Sequence, residues 1–150
     1  MAQSLANILI HIIFSTKNRQ PMIADEVSQE LYSYIVGIAR AHQTQVHEIG
    51  GIEDHLHLLI SLPRTVTVSE LVEDIKKGSS KWIKTKGSKY IDFSWQKGYG
   101  AFSIGQSAYE NLRKYIKKQK EHHQVISFQD EYRNFLQKYI MSYDEKYLWD

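Results

Sequence analysis

The chain has 150 residues with 42% apolar content and no cysteine, which fits a single domain (1–150) with a real core and excludes disulfide scaffolding and thiolate chemistry. Its 19 Lys and Arg against 17 Asp and Glu leave a formal charge of +2, a mixed balance that argues for a globular chain rather than a disordered one. The opening "MAQSLANILIHIIFSTKNRQP" is too short in its apolar part to span a bilayer and lacks a basic leader or cleavage pattern. A cytoplasmic protein without a membrane role is expected.

The first element is "LANILIHIIFST" (5–16), apolar and β-branched, read as a mostly buried strand. After the loop "KNRQP", a helix is predicted from Asp25, with Leu31, Ile35, Ile38, Ala39 and His42 on one face. "TQVHEIGG" reads as a second strand and "HLHLLISL" as a third, ended by Pro63. Thr67 and Glu70 have capping-box spacing ahead of a helix whose stripe is Val68, Leu71, Val72, Ile75 and Trp82. Gly78 and two serines weaken that helix in its middle, marking a break or a close contact. "GYGAFSIG" (98–105) is a short fourth strand, and Ser107 with Glu110 is read as a second capping box, opening a helix over 107–123. Ser127 with Asp130 starts a last helix carrying Tyr132, Phe135, Leu136 and Tyr139. The order β-α-β-β-α-β plus two C-terminal helices is that of the ferredoxin-like split βαβ arrangement, an α+β fold shared with RRM-like domains. In it the first and third strands are central.

Charge is distributed unevenly. "KKGSSKWIKTKGSK" (76–89) carries six lysines and no acid, and "RKYIKKQK" (113–120) carries five basic residues and no acid. With Trp82, Tyr90, Trp95 and Tyr99 nearby, these stretches suit a polyanion with stackable bases, or simply a solvated helix face. Lys76, Lys77, Lys81, Lys114 and Lys118 are the candidate DNA contacts.

Two features carry chemistry. In "EDHLHLLISLP" (53–63), His55 and His57 are two apart on a strand and project to one face, while Leu56 and Leu58 take the other. Two adjacent imidazoles suit a metal ion that draws a further ligand from elsewhere, although they also occur as core or interface histidines. On the 107–123 helix, Tyr115 and Gln119 lie four apart on one face among lysines. A phenol oxygen there suits a nucleophile and an amide oxygen a hard cation. Alternatively, Tyr115 packs with Leu112 and Ile116.

"DHLHLLISLP" and "YIKKQKEHH", together with "HIIFSTKNRQP", "VSELVEDIKKGSSKWI", "WQKGYGAFSIG" and "YDEKYLW", resemble the single-tyrosine HUH transposases of small bacterial insertion sequences and their repeat-associated relatives. The segments follow the family's order along nearly the whole chain. The resemblance implies that His55 and His57 bind the metal, that Tyr115 is the catalytic nucleophile and that Gln119 is the third ligand. It also implies binding of single-stranded DNA hairpins at element ends, and a homodimer whose active sites are composite. One departure is Glu53, two residues before His55, where proline is expected in many relatives.

The implied reaction is chemically coherent. A phenol with a pKa near about 10 is a poor nucleophile at neutral pH. Mg2+ or Mn2+ would polarise the scissile phosphate, and attack by Tyr115 would exchange one phosphate ester for another reversibly. His122 and His123, just beyond Gln119, are auxiliary candidates for the metal or a phosphate, or favour the helix dipole. His11 on the first strand could neighbour the pair across the sheet but is weighted as a core residue, and Tyr109 is a weaker alternative nucleophile. Two other functions fit the same residues: a non-catalytic hairpin nucleic-acid binder, and a metal-dependent phosphodiesterase that activates water.

Overall fold

The computed structural model describes residues 2–122 and 126–150, with the side chains of Glu121 and His122 left out. Four strands, β1 (Leu9–Ser15), β2 (Gln45–Ile52), β3 (His55–Ser61) and β4 (Gly100–Ile104), form one antiparallel sheet in the order β2-β3-β1-β4. This is the ferredoxin-like order, with β1 and β3 central as the sequence implies. The first strand is shorter than its apolar run. Residues 5–8 lie outside it and Leu5 is exposed, because only from Leu9 does the chain find partners on both sides, Ser61 and Ile104.

Strand alternation sorts the side chains into two cores. Ile12, Phe14, Leu56, Leu58 and Ile60 point to the face covered by α1 (Asp25–Ala41) and α2 (Val68–Ile83), where Leu31, Ile35, Leu71 and Ile75 meet them. Thr67 caps α2, its hydroxyl accepting from the Glu70 amide at 3.1 Å. Gly78 does not break α2. A methyl group there would come within 2.7 Å of Ile38 Cδ1, so glycine lets α1 and α2 approach.

The opposite sheet face is covered as well. It carries His11, Ile13, His55, His57 and Phe102, and the C-terminal helices lie over it. The predicted 107–123 helix is present in pieces: a 3-10 turn (Gln106–Ala108), then α3 (Tyr109–Lys117) and α4 (Gln119–His122), separated at Lys118. The Ser107–Glu110 capping box does not form. Ala108 holds the cap position without a side-chain bond, because Ser107 is taken up inside the 3-10 turn. The last helix, α5 (Phe128–Lys138), is capped as expected, with Ser127 Oγ accepting from the Asp130 amide at 3.2 Å. Phe128, Tyr132 and Leu136 of α5 pack on Ile13 and Phe102 to close the second core. The sheet is therefore an inner layer, and β3 is buried on both sides from His55 to Ile60.

Candidate active site

His55 and His57 project from β3 toward α5 and the α3–α4 junction, and both are fully buried. Their imidazoles are oriented from behind. His55 Nδ1 lies 2.7 Å from Asp54 Oδ1, and His57 Nδ1 lies 2.8 Å from His11 Nε2 on the neighbouring central strand. His11, assigned to the core by sequence, is thus a supporting group behind His57, its rings stacked at 5.1 Å with those of His57. Burial, and then the nearby His57, hold the His11 pKa well below the usual imidazole range. Orientation of this kind from the far ring nitrogen is what metal-ligating histidines require.

The two Nε2 atoms face forward into a ring of oxygens. His55 Nε2 is 3.1 Å from Gln119 Oε1 and 3.6 Å from Glu131 Oε1, and His57 Nε2 is 2.8 Å from Glu131 Oε1. Gln119 and Glu131 are themselves buried. Gln119 Nε2 donates to the Tyr115 carbonyl at 3.3 Å, which turns the amide oxygen toward the histidines. His55 Nε2 faces two oxygens at once, Gln119 Oε1 and Glu131 Oε1. That donor set, two imidazoles with a carboxylate and an amide oxygen, fits a divalent cation of the Mg2+, Mn2+ or Zn2+ kind. Among the described residues, His55, His57 and Glu131 offer ligand atoms that all lie within 4.8 Å of one another.

Tyr115 closes the constellation. Its hydroxyl donates to Glu131 Oε2, so one carboxylate touches both the phenol and His57. Burial, then the charge of Glu131 and this hydrogen bond, raise the phenol pKa well above its ordinary value, while the neighbouring Gln119 pulls the other way. The phenol lines a 210 Å3 opening with Glu131, Asn134, Phe135 and Lys138, where a phosphate would meet one ammonium and one amide.

The other sequence candidates fall elsewhere. Tyr109 is tied to His47 Nδ1 on β2 at 3.0 Å and does not face the histidine pair. His123 lies outside the described residues, as does the side chain of His122. Lys81 and Lys114 are exposed on their helices, Lys118 is exposed at the α3–α4 junction, and Lys77 pairs with Glu73 at 2.7 Å. Lys76 departs from the expected DNA-facing role. Its ammonium donates to the carbonyls of Gln96, Lys97 and Gly98 at 2.8, 3.2 and 2.6 Å and lies over Phe14, and burial lowers its pKa to about 8. A cation spent on three carbonyls is a loop clamp.

A match to the family model described as "Transposase IS200 like" covers residues 4–119, which contains the histidine pair, Tyr115 and Gln119. The chain belongs to the IS200-like transposase family. The ISDra2 transposase TnpA of Deinococcus radiodurans is 23% identical over 114 residues, 73% of this chain and 81% of that one. A crystal structure from the same organism, described as that of a transposase, superposes with a TM-score of 0.62 at 20% identity, covering 79% of this chain and 98% of its own. A repeat-associated (REP) tyrosine transposase solved with a REP hairpin superposes at 0.64 with 17% identity, over 84% of this chain and 76% of its own. At these identities the two superpositions establish the shared fold. The family makes this chain a DNA strand-transfer enzyme. Among the described residues of the transposase, no helix is long and apolar enough to cross a membrane.

Glu131 is the functional candidate that sequence reasoning missed. A signal was present: it sits three residues after Phe128 and four before Phe135, on the stripe that carries the apolar residues of the last helix. A carboxylate on a buried face needs a partner, and the histidines are that partner.

Proposed function

We propose that the chain cuts and rejoins single-stranded DNA at hairpin-bearing ends through a 5′-phosphotyrosine intermediate. The observation that carries this reading is the meeting of the Tyr115 hydroxyl with Glu131, whose other oxygen contacts His57 beside His55 and Gln119. Tyr115 Oη attacks the scissile phosphorus and its proton passes to Glu131 Oε2. The P–O3′ bond breaks, the departing oxygen takes a proton from solvent to give a free 3′-OH, and the reverse attack rejoins the strand. One ester replaces another of similar energy, so no nucleotide cofactor is consumed.

His55 Nε2, His57 Nε2, Gln119 Oε1 and Glu131 Oε1 would hold Mg2+ or Mn2+, with His11 and Asp54 orienting the imidazoles. When bound, such an ion neutralises charge on the phosphate and aligns the leaving oxygen. Glu131 enlarges the ligand set that the resemblance implies. Lysines 81, 114 and 118 are proposed to bind DNA backbone, and the hairpin held by the REP-associated relative supports a hairpin substrate. One chain brings the histidine pair to its own tyrosine, which favours a site complete within a subunit even where the protein acts as a homodimer. The domain is taken to span 1–150 and to work in the cytoplasm.

The test is incubation with labelled single-stranded hairpin DNA and Mg2+ or Mn2+, read on a denaturing gel. A covalent adduct that Tyr115→Phe abolishes supports the reading. Cleavage that survives Tyr115→Phe assigns a water-activating phosphodiesterase instead, and binding without an adduct assigns a non-catalytic hairpin binder.

A further inference from the structure

Behind Gln119, on the side away from the histidines, two cavities of 360 and 430 Å3 share Ser28, Tyr32, Gly51 and Lys120 as walls. Together they form a recess between α1, the β2–β3 turn and the α3–α4 junction. Gln119 itself lines the larger one, so the recess stands one side chain from the proposed metal ligands. Each cavity is of the size that takes a small ligand.

Three features of the lining describe the ligand. Lys117, Lys118 and Lys120 stand at the wall nearest the nucleophile helix, with Lys120 paired to Asp25. They supply the cationic rim that a DNA backbone requires. Tyr32 lines both cavities, its ring is buried, and its hydroxyl makes no hydrogen bond among the described residues. Burial, then the charge of Asp25, keep that phenol protonated, raising its pKa to about 12. Glu53 is exposed at the opening of the smaller cavity, and its carboxylate pairs with no cation among the described residues. This is the residue at which the sequence departs from the proline expected in many relatives. A carboxylate at the mouth repels a bare phosphate but accepts a hydrogen bond from the exocyclic amine of a base.

We infer that this recess is a nucleotide subsite, taking an unpaired, amino-bearing base of the single-stranded DNA that flanks the scissile phosphate. The base edge faces Glu53, the Tyr32 ring and hydroxyl line its plane, and Lys118 and Lys120 hold the phosphate on the side of Gln119. Cytosine, adenine and guanine each present an exocyclic amine to Glu53, and thymine presents none. The inference rests on the reading of the chain as a single-strand DNA enzyme, and it adds base selection by the protein itself.

The test is a backbone amide NMR titration of the full chain with dCMP, dAMP, dGMP, TMP and deoxyribose 5-phosphate. The amino-bearing nucleotides are expected to shift the amides of Ser28, Gly51 and Lys120, with TMP and the base-free sugar phosphate about tenfold weaker. Glu53→Gln, an exchange at an exposed position, should erase that preference without changing the melting temperature, and Tyr32→Phe should weaken all four nucleotides. Equal binding of deoxyribose 5-phosphate would reduce the recess to a phosphate site and overturn the base assignment. Absence of any shift at these amides, or a preference untouched by Glu53→Gln, also overturns it. Because the readout is binding, its failure is separable from failure of the Tyr115 adduct, which tests the chemistry.

Discussion

Gly50 sits on β2 directly opposite His57, and α3 crosses over it. A methyl group built at Gly50 lies 2.4 Å from the Ile116 carbonyl oxygen and 3.3 Å from its carbon, so the obstacle is helix backbone, which cannot turn aside as a side chain can. Restoring even a 3.0 Å contact moves α3 off the sheet by about 0.6 Å. Ile116 lies between Tyr115 and Gln119, so the displacement is delivered to the proposed nucleophile and to a proposed ligand together. Misplacement on the order of 1 Å can cost about 10²-fold in rate, so Gly50→Ala should slow covalent adduct formation by about tenfold or more. Overpacking should also lower stability by about 1–3 kcal/mol. Gly37→Ala is the control: no atom lies within 4 Å of its methyl, and mid-helix alanine should stabilise by about 0.5–1 kcal/mol. The assay is the rate of adduct formation on labelled hairpin DNA, with urea unfolding alongside. A Gly50→Ala chain that melts and reacts like the parent would show that α3 is not held at this distance, and the site geometry argued from it would fall.

Other outcomes follow from the same geometry. Glu131→Gln should weaken Mn2+ binding by about 10–100-fold in calorimetry and let the Tyr115 phenol titrate at lower pH than in the parent; unchanged Mn2+ affinity would remove Glu131 from the ligand set. Mixing Tyr115→Phe chains with His57→Ala chains should yield no adduct if each subunit completes its own site, whereas recovered adduct would establish composite sites. Tyr32 is held protonated in the fold, so its contribution of about 3 kcal/mol is intact below pH about 10 and is lost as the pH climbs through about 12. Urea midpoints across that window should therefore fall less in Tyr32→Phe than in the parent, and parallel falls would place the alkaline loss elsewhere.

The architecture was legible because its signals are local. Alternation in "HLHLLIS" and the helical stripes of α1 and α2 are properties of neighbouring residues, and the strand order follows from the sequence of elements. His55, His57, Tyr115 and Gln119 were legible as two pairs at strand and helix spacing. Glu131 was not, since its meaning depends on α5 lying across the sheet, a contact some seventy residues away in sequence. Lys76 misled for a related reason. In sequence it is one of six lysines, and only the loop at 96–98 turns it into a clamp. The Ser107 box failed because a capping pattern does not specify whether the turn before it tightens to 3-10.

The family match ends at residue 119, one turn past the tyrosine, while Glu131 and the aromatic cover of Phe128 and Phe135 come from α5 beyond it. The candidate site is thus assembled from two stretches of chain: one inside the family match that contains the histidine pair, Tyr115 and Gln119, and a roof from α5 laid over it. Such a division lets a change in α5 alter the carboxylate beside the phenol and the shape of the opening while the four residues underneath keep their places on the sheet and the α3–α4 junction.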